Sequence, residues 1–268
     1  MSRRHVTFAC EGSALVGTLD RASGGVGLLI VSGGNETRAG AFSGNAHLAA
    51  RIASAGYPVF RFDRRGVGDS EGDNGGFRRS AEDIGAALAA FRGECPALSR
   101  IVAFGNCDAA SALMLAGGAG CDGLVLSNPW TFEDDQSDAP PPPAAIRARY
   151  AEKLKNPREL LRLLRGQVDY AKLLRGLAGA VAPPAAPSGL AGAMAGGVDR
   201  FTGPTRILIA ERDRTGQAFL AGWNAGDPRV QLCPAASHAY VETHASEWLF
   251  RQLMAALADE QARQLDVG

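Results

Sequence analysis

Three residues in this chain have the types and the order needed for acyl-transfer chemistry: Cys107, Asp213 and His238. Cys107 follows a short apolar run and stands between Gly105 and Ala109, each two positions away. A nucleophile held at a sharp strand-to-helix turn needs small residues at those two positions, because the strand and the helix must pass close to each other. The N-terminus of the following helix would also favour a thiolate. The spacing therefore predicts a nucleophile elbow that carries cysteine.

A candidate acid and a candidate base follow Cys107 along the chain. Asp213 ends an apolar strand that begins near Thr205, where a carboxylate can orient an imidazole. His238 lies in a loop of small residues directly after a late strand, unlike the other three histidines. The order nucleophile, acid, base distinguishes one hydrolase architecture from two common protease folds. The sequence thus predicts a Cys-His-Asp triad.

Each of these residues also has a purely structural interpretation. A free cysteine is among the most often buried residues, and an aspartate that ends a strand is frequently a turn or cap residue. A rival for the acid is the cluster Glu133, Asp134 and Asp135, which follows the preceding strand. The combination of nucleophile, acid and base, rather than any one residue, favours the triad with Asp213.

A glycine-rich turn follows the third predicted strand, with the sequence Ser-Gly-Gly-Asn at residues 32–35. Two glycines let the backbone turn an amide towards a substrate without a side chain in the way. We therefore assign an oxyanion hole to the amide of Gly34 or Asn35, together with that of Asp108 directly after the nucleophile. A plain Gly-Gly turn is the alternative interpretation.

Apolar runs alternate with helical periods along most of the chain, and this alternation must position the candidate residues. The clearest predicted strands are residues 5–9, 14–19, 26–31, 57–62 and 124–128. Ser80 is expected to cap a helix, with Asp83 in a position like that of a capping box. The pattern predicts an α/β fold: a mostly parallel sheet of eight strands with helices on both faces.

The alternation breaks between residues 134 and 200. Because this segment lies between the sixth strand and the strand of Asp213, we expect a helical cap inserted over the nucleophile, with the core at 1–133 and 201–268. A surface decoration or the contact of a homodimer is the alternative. Its basic residues suit a solvated helix face, or an acidic carrier protein or coenzyme A phosphate. They are Arg147, Arg149, Lys153, Lys155, Arg158, Arg162, Arg165, Lys172 and Arg175.

Length and composition exclude several classes of protein. At 268 residues, with 46% hydrophobic and 21% charged residues, the chain is neither disordered nor too small for a large core. Its 28 basic and 28 acidic side chains cancel, so no broad field favours nucleic acid or an anionic membrane. No run approaches the ~18 apolar residues of a membrane span, and the N-terminus lacks a secretory signal. These observations predict a cytoplasmic enzyme.

Cofactor and metal motifs are missing from the sequence. Five scattered cysteines without a C-x-x-C pair signal neither a disulfide framework nor a zinc site. The glycines of the loop at residues 63–70 do not have the G-x-G-x-x-G spacing, and no phosphate-binding P-loop motif occurs. We expect no cofactor and no metal, and a bracing role for this loop.

Several motifs together resemble the α/β-hydrolase superfamily over nearly the whole chain. They are the Asp-Arg-Arg-Gly-Val-Gly-Asp-Ser loop at 63–70, the Gly-Asn-Cys-Asp-Ala-Ala-Ser elbow at 105–111, and the late Asp213 and His238. More narrowly, the Ser-Gly-Gly-Asn turn and the elbow resemble the first of two hydrolases encoded with exosortase A systems in Gram-negative bacteria. That resemblance implies a cytoplasmic enzyme near acyl-ligase and acyl-carrier functions. Cysteine and alanine, where the superfamily has serine and glycine, argue against ordinary esterase activity.

The thiol itself indicates a substrate class. A thiolate that attacks an oxygen ester forms an intermediate that expels thiolate more easily than alkoxide, unless His238 protonates the leaving oxygen. Attack on a thioester has no such handicap, since both leaving groups are thiolates. We expect Cys107 to accept an acyl group from a small acyl substrate, such as a coenzyme A or acyl carrier protein thioester, with activated esters as alternatives. Hydrolysis, transfer to an acceptor, and a non-catalytic binding protein on a hydrolase scaffold all remain open.

Overall fold

The computed structural model of the chain describes residues 2–132, 189–224 and 226–267, and one eight-stranded sheet runs through its centre. The strands are β1 (Arg3–Cys10), β2 (Ser13–Asp20), β3 (Val26–Val31), β4 (Val59–Phe62), β5 (Arg100–Asn106), β6 (Gly123–Ser127), β7 (Thr205–Ala210) and β8 (Val230–Cys233). Their order across the sheet is β1-β2-β4-β3-β5-β6-β7-β8. The β1–β2 and β2–β4 pairs are antiparallel, and every other pair is parallel. The predicted mostly parallel, eight-stranded sheet is confirmed.

Helices cover both faces of the sheet, as the sequence predicts. They are α1 (Gly44–Ser54), α2 (Ala81–Glu94), α3 (Asp108–Leu115), α4 (Gly189–Arg200), α5 (Arg214–Gly222) and α6 (Thr243–Val267). Alternate side chains of β3 enter two core clusters: Leu29 packs on the side of α2, α3 and α4, and Leu28 on the side of α1 and α6. Within the described part of the chain, no helix combines the length and apolarity needed to cross a membrane.

Burial explains why the central strands have continuous apolar sequences. β3, β4 and β6 are buried along their whole length, because a parallel strand covered by helices on both faces has no solvent side. The exception inside β4 is Arg61, whose guanidinium pairs with the buried carboxylate of Asp20 at 3.2 Å. At the sheet edge, β1 mixes exposed and buried positions.

The parallel strands end at a common edge of the sheet, and the loops that leave this edge carry the candidate residues. Gly33 follows β3, Cys107 follows β5 and Asn128 follows β6, while Asp213 and His238 come after β7 and β8. The topology therefore brings side chains from five separate segments to one side of the sheet.

The loop at residues 63–70 is braced from within. The Asp63 carboxylate accepts hydrogen bonds from the backbone N–H groups of Arg38 at 2.5 Å and of Asp69 at 3.1 Å. Gly68, with φ +57°, passes so close to the Asp63 carboxylate that no side chain would fit at that position. This geometry agrees with the bracing role expected for the loop.

Ser80 is the N-cap residue of α2, as the sequence predicts, but the expected capping box does not form. The Ser80 hydroxyl makes no cap hydrogen bond; it donates to the Gly76 carbonyl at 3.0 Å and accepts from the Arg64 guanidinium at 3.0 Å. The Asp83 carboxylate accepts from the backbone N–H and the guanidinium of Arg65 instead of the helix terminus. The buried Arg64 and the half-buried Arg65 compete with the helix backbone for these two side chains.

The C-terminal end of the predicted insert belongs to the core. Residues 189–200 form α4, and its buried Leu190, Met194 and Val198 lie in the same cluster as the side chains of α3. Gly197 permits this packing, since a Cβ there would collide with the Met114 carbonyl. The boundary at residue 200 is therefore too late. Residues 134–188, with the predicted cap and its basic side chains, lie outside the described residues.

Candidate active site

Cys107 lies at the turn between β5 and α3, with backbone angles φ 62° and ψ −129°. Such a conformation costs a non-glycine residue about 1–3 kcal/mol, and it persists only where surrounding contacts fix it. The Cys107 N–H donates to the Ser127 carbonyl at 2.9 Å, and the Cys107 carbonyl accepts from the N–H groups of Ala110 and Ser111. These contacts hold the half-buried Cys107 at the end of the sheet.

Small residues let the strand and the helix approach at this turn. A Cβ added to Gly105 would lie 2.7 Å from the carbonyl carbon of Ala109 and 2.8 Å from the nitrogen of Ala110. Ala109 itself is fully buried. A larger side chain at position 105 or 109 would therefore push α3 away from β5 and move Cys107.

Asp213 and His238 contact each other beyond the ends of β7 and β8. The Nδ1 atom of His238 lies 3.0 Å from Oδ2 of Asp213, and the Asp213 side chain is almost fully buried. The same carboxylate oxygen accepts the N–H of Gly216 at 2.9 Å, so Asp213 is also the N-cap of α5. The cap interpretation and the acid interpretation of Asp213 are thus compatible, because one carboxylate makes both contacts.

His238 connects Asp213 to Cys107. The hydrogen bond to Asp213 is the largest cause that raises the pKa of the His238 imidazole to about 10, and the hydrogen bond to the Cys107 side chain adds to it. Burial acts in the opposite direction and is outweighed. Both hydrogen bonds therefore favour the protonated form of the imidazole. A cation hydrogen-bonded to sulfur stabilises the thiolate, which is the nucleophilic form of cysteine.

Two carboxamides, the half-buried Asn106 and the buried Asn128, fix the loop that carries His238. The side-chain N–H groups of Asn106 and Asn128 reach the backbone carbonyl of His238 at 3.2 and 3.4 Å. Asn128 also donates to the Asn106 side-chain oxygen at 3.0 Å and accepts the N–H of Ala210 at 2.8 Å. Sequence reasoning missed both asparagines, although Asn106 ends β5 and Asn128 follows its neighbour β6. Polar residues at the ends of adjacent parallel strands are the signal that marks them.

The predicted oxyanion amides have different surroundings. The N–H of Gly34 donates to the carboxylate of Asp108 at 2.6 Å, so in this structure that amide is already engaged. Within the described residues, the N–H groups of Asn35 and Asp108 have no hydrogen-bond acceptor. The Asn35 side chain accepts from Asn74 at 2.9 Å. The sequence predicts that these residues lie together, but it does not indicate that the Asp108 carboxylate accepts from the Gly34 amide.

A buried arginine supports the turn from behind. Arg64 donates to the Gly34 carbonyl at 2.5 Å, and its guanidinium lies 3.4 Å from the second oxygen of the Asp108 carboxylate. Its side chain is only 4% exposed. Arg64 belongs to the loop at residues 63–70, so this loop contacts the candidate site directly. Sequence reasoning assigned the loop a bracing role and did not single out Arg64.

The remaining candidates lie apart from this site or beyond the described residues. Glu133, Asp134 and Asp135, the rival acids, fall outside the described residues. Burial raises the pKa of Cys10 to about 11 and of Cys121 to about 12, far above the range of a reactive thiol. In the described ranges, no group of three or more His, Cys, Asp or Glu side chains is arranged to hold a metal ion.

Comparisons with known proteins agree with this architecture. A family model described as "Alpha/beta hydrolase family" matches residues 28–252, a range that contains Cys107, Asp213 and His238. No curated protein sequence matches the chain. Among solved structures, an esterase from Pyrococcus furiosus is 17% identical, with a TM-score of 0.61, and the match covers 96% of this chain and 90% of that one.

Two further structures are similar over almost their whole length. An alpha/beta hydrolase from Penicillium sp. sh18 is 17% identical, with a TM-score of 0.62, and the match covers 96% of this chain and 100% of that one. An alpha-beta serine hydrolase homologue from Coxiella burnetii is 16% identical, with a TM-score of 0.55, over 94% of this chain and 98% of that one. At these identities the likeness establishes the fold alone.

Proposed function

The chain belongs to the alpha/beta hydrolase family, and we propose that it is a cysteine-dependent hydrolase of acyl thioesters or activated esters. The observation that carries the proposal is the pair of contacts made by the His238 imidazole. Its Nδ1 atom lies 3.0 Å from the Asp213 carboxylate, and it is also hydrogen-bonded to the Cys107 side chain. A thiol in packing alone needs neither a strained backbone nor an imidazolium beside it. Cys107 has both.

The first proposed step is transfer of the acyl group to the enzyme. The Cys107 thiolate attacks the carbonyl carbon, and the carbon-sulfur bond of the thioester breaks as the tetrahedral intermediate collapses. The departing thiolate takes the proton of the His238 imidazolium, which leaves a neutral imidazole and an acyl-cysteine. In this step the backbone N–H of Asp108, directly after the nucleophile, donates to the oxyanion.

The second proposed step releases the acid and restores the enzyme. Neutral His238 takes a proton from water, whose oxygen attacks the acyl-cysteine carbonyl. The bond between the carbonyl carbon and the Cys107 sulfur breaks, which gives the free acid and a thiolate beside a protonated imidazole. Asp213 stabilises the positive imidazole at the start and the end of the cycle, since its carboxylate lies 3.0 Å from Nδ1.

Thioesters suit this arrangement better than ordinary esters. An alkoxide must receive the His238 proton while its bond to carbon breaks, whereas a thiolate is a good enough leaving group to depart first and take the proton afterwards. The resemblance of the Ser-Gly-Gly-Asn turn and the elbow to the exosortase-associated hydrolase supports a substrate attached to an acyl carrier. Recognition of coenzyme A or an acyl carrier protein, a homodimer contact and a cytoplasmic location stay predictions. The segment expected to carry the first two, residues 134–188, lies outside the described residues.

The experiment that tests the proposal is the release of free thiol from a panel of acyl-pantetheine thioesters by the native enzyme, Cys107→Ala and Cys107→Ser. We expect steady turnover by the native enzyme and a loss on the order of 10³-fold or more in Cys107→Ala. Full activity in Cys107→Ala would overturn the proposed nucleophile. Failure of the native enzyme to release thiol or to form an acyl adduct with any thioester would favour a binding protein.

The same assay separates hydrolysis from transfer. A hydrolase releases thiol at a constant rate in buffer alone, because water accepts the acyl group. An acyltransferase releases one equivalent and then stops until an amine, alcohol or thiol acceptor is added. A single burst without acceptor, followed by turnover on its addition, would replace hydrolysis by transfer and leave Cys107 as the nucleophile.

A further inference from the structure

A cavity of about 480 Å³ opens beside the candidate site, on the side of the sheet covered by α1 and α6. Its lining includes Gly33, Asn106 and Ala239, the last two being direct chain neighbours of Cys107 and His238. A Cβ added to Gly33 would lie 3.6 Å from the Cβ of Cys107. Gly33 therefore both lines the cavity and lies next to the turn that carries Cys107.

The floor of the cavity is apolar. Val31, Phe104 and Leu249 line it and are at most 9% exposed. The carboxamide of Asn106, which directly precedes Cys107 in the chain, is already bonded to the His238 carbonyl and to Asn128. The floor therefore offers van der Waals contact to an apolar group and no free charge.

Charged side chains are confined to the rim. Glu36 and His47 are exposed lining residues, and the exposed Arg51 forms an ion pair with Glu247 at 2.6 Å. An apolar base with a few polar groups at the entrance, in a volume of several hundred Å³, is the usual form of a small-molecule site.

Exposed apolar side chains lie at the mouth of the cavity. Phe42 is 86% exposed and has a strained φ of 52°, and Val241 is 59% exposed. Both line the cavity, one before α1 and the other three positions after His238. Burying exposed apolar surface on a ligand is favourable. These two side chains therefore extend the apolar floor outwards to the surface.

From this geometry we infer that the cavity binds the acyl chain of the substrate, and that the chain is a neutral, apolar one of medium length. The inference rests on the proposed function, since it places the acyl carbonyl at Cys107 and the chain beyond Gly33. A dicarboxylic acyl group would bring its second carboxylate to a floor without a partner, which is costly. The thiol part of the substrate then lies outside the cavity.

The test compares acylation by acetyl and octanoyl pantetheine thioesters in the native enzyme and in Leu48→Trp, which fills the cavity from α1. We expect the ratio of octanoyl to acetyl rates to fall about tenfold. Ala239→Phe, at an exposed lining position, gives the same readout if Leu48→Trp does not fold. Leu232→Trp is the matched control, because Leu232 is 54% exposed and does not line the cavity. An unchanged ratio in both cavity variants would overturn the assignment.

A binding measurement keeps this inference distinct from the proposed function. Octanoyl-pantetheine with a thioether in place of the thioester cannot react, so its Kd for Cys107→Ala depends on binding alone. We expect Leu48→Trp in that background to weaken binding about tenfold, with no change from Leu232→Trp. If no thioester acylates the native enzyme, the proposed chemistry fails, and this measurement still decides the cavity. Equal binding by all variants would contradict the cavity assignment.

Discussion

The base half and the oxyanion half of the candidate site differ in how complete they are. On the base half, His238 has its carboxylate partner at 3.0 Å and its backbone carbonyl held by Asn106 and Asn128. On the oxyanion half, the Gly34 amide is bonded at 2.6 Å to the carboxylate of Asp108. In the proposed mechanism, the groups that transfer the proton are therefore in contact before a substrate binds. Stabilisation of an oxyanion by Gly34 requires the carboxylate to move first.

The difference indicates which part of catalysis the fold fixes and which part it leaves adjustable. The base half depends on buried groups: Asn128 is fully buried and the Asp213 side chain is 7% exposed. The Asp108 side chain is 15% exposed and has a second partner nearby, since Arg64 lies 3.4 Å away. One oxygen of this carboxylate accepts from the Gly34 amide, and the other lies near the Arg64 guanidinium, which could hold the carboxylate if it left the amide. The oxyanion half is therefore the part that a substrate can change.

Removal of the base should have the largest effect. His238→Ala deletes the group that accepts and returns the proton, so we expect acylation of Cys107 to slow by about 10³-fold. Stopped-flow release of thiol from octanoyl-pantetheine measures this rate. A rate within tenfold of native would contradict this expectation, because the base half would then contribute little to acylation.

The Asp213→Asn variant should have the next largest effect. We expect acylation to slow about 10²-fold, since an amide cannot stabilise the imidazolium as a carboxylate does. The pKa of His238, about 10 in the native protein, should fall towards its ordinary value of about 6.5. NMR titration of the imidazole in both proteins measures the shift, and an unchanged midpoint would contradict it.

The raised pKa also predicts how stability depends on pH. A folded-state pKa above the unfolded value stabilises the protein fully below about pH 6.5, and the contribution disappears as the pH rises through about 10. The free energy of unfolding should therefore fall more steeply across this window in the native protein than in Asp213→Asn. Chemical denaturation at several pH values gives both curves, and parallel curves would contradict the coupling of His238 to Asp213.

Opening the oxyanion half should have a moderate effect of opposite sign. Asp108→Ala frees the Gly34 amide, so we expect acylation to become about tenfold faster, given the strength of a charge-assisted hydrogen bond. Asp108→Asn is the matched control, because its side-chain oxygen can still accept from Gly34. A slower rate in Asp108→Ala would contradict this expectation and would show that the carboxylate positions the turn.

The smallest expected effect comes from loosening the loop of His238. Asn128→Ala leaves the buried N–H of Ala210 without its acceptor, which should lower the free energy of unfolding by about 1–3 kcal/mol. Acylation should slow only a few-fold, because Asn106 still holds the His238 carbonyl. Asn224→Ala removes an exposed local hydrogen bond and should stay within about 0.5 kcal/mol of native. Equal losses in the two variants would show that the buried network is unimportant.

The sequence predicts the sheet well because burial leaves a direct record in residue type. β3 and β6 are buried throughout and have continuous apolar sequences, so their positions along the chain follow from the pattern. The elbow is predictable for a similar reason: the backbones at Gly105 and Ala109 touch, and only small residues allow this. α4 was not predicted as core, because its alanines and glycines look like a linker until Gly197 meets the Met114 carbonyl.

The sequence does not indicate which residues far apart in the chain become hydrogen-bond partners. Asp108 and Gly34 are 74 positions apart, and nothing in either local sequence indicates which acceptor the Gly34 amide takes. The same holds for Asn106 and His238, which are 132 positions apart. Such contacts depend on how loops from different strands meet, so they follow from the three-dimensional arrangement.

The most direct test of the central claim is to map the acyl group within the protein after brief exposure to octanoyl-pantetheine. Peptide mass spectrometry under mildly acidic conditions reports on all five cysteines in one experiment. Burial raises the pKa of Cys10, Cys95, Cys121 and Cys233, so these four thiols are internal controls. We expect an octanoyl group on Cys107 alone, and much less of it in His238→Ala. An adduct on another cysteine, or none on Cys107, would contradict the assignment of Cys107 as the nucleophile.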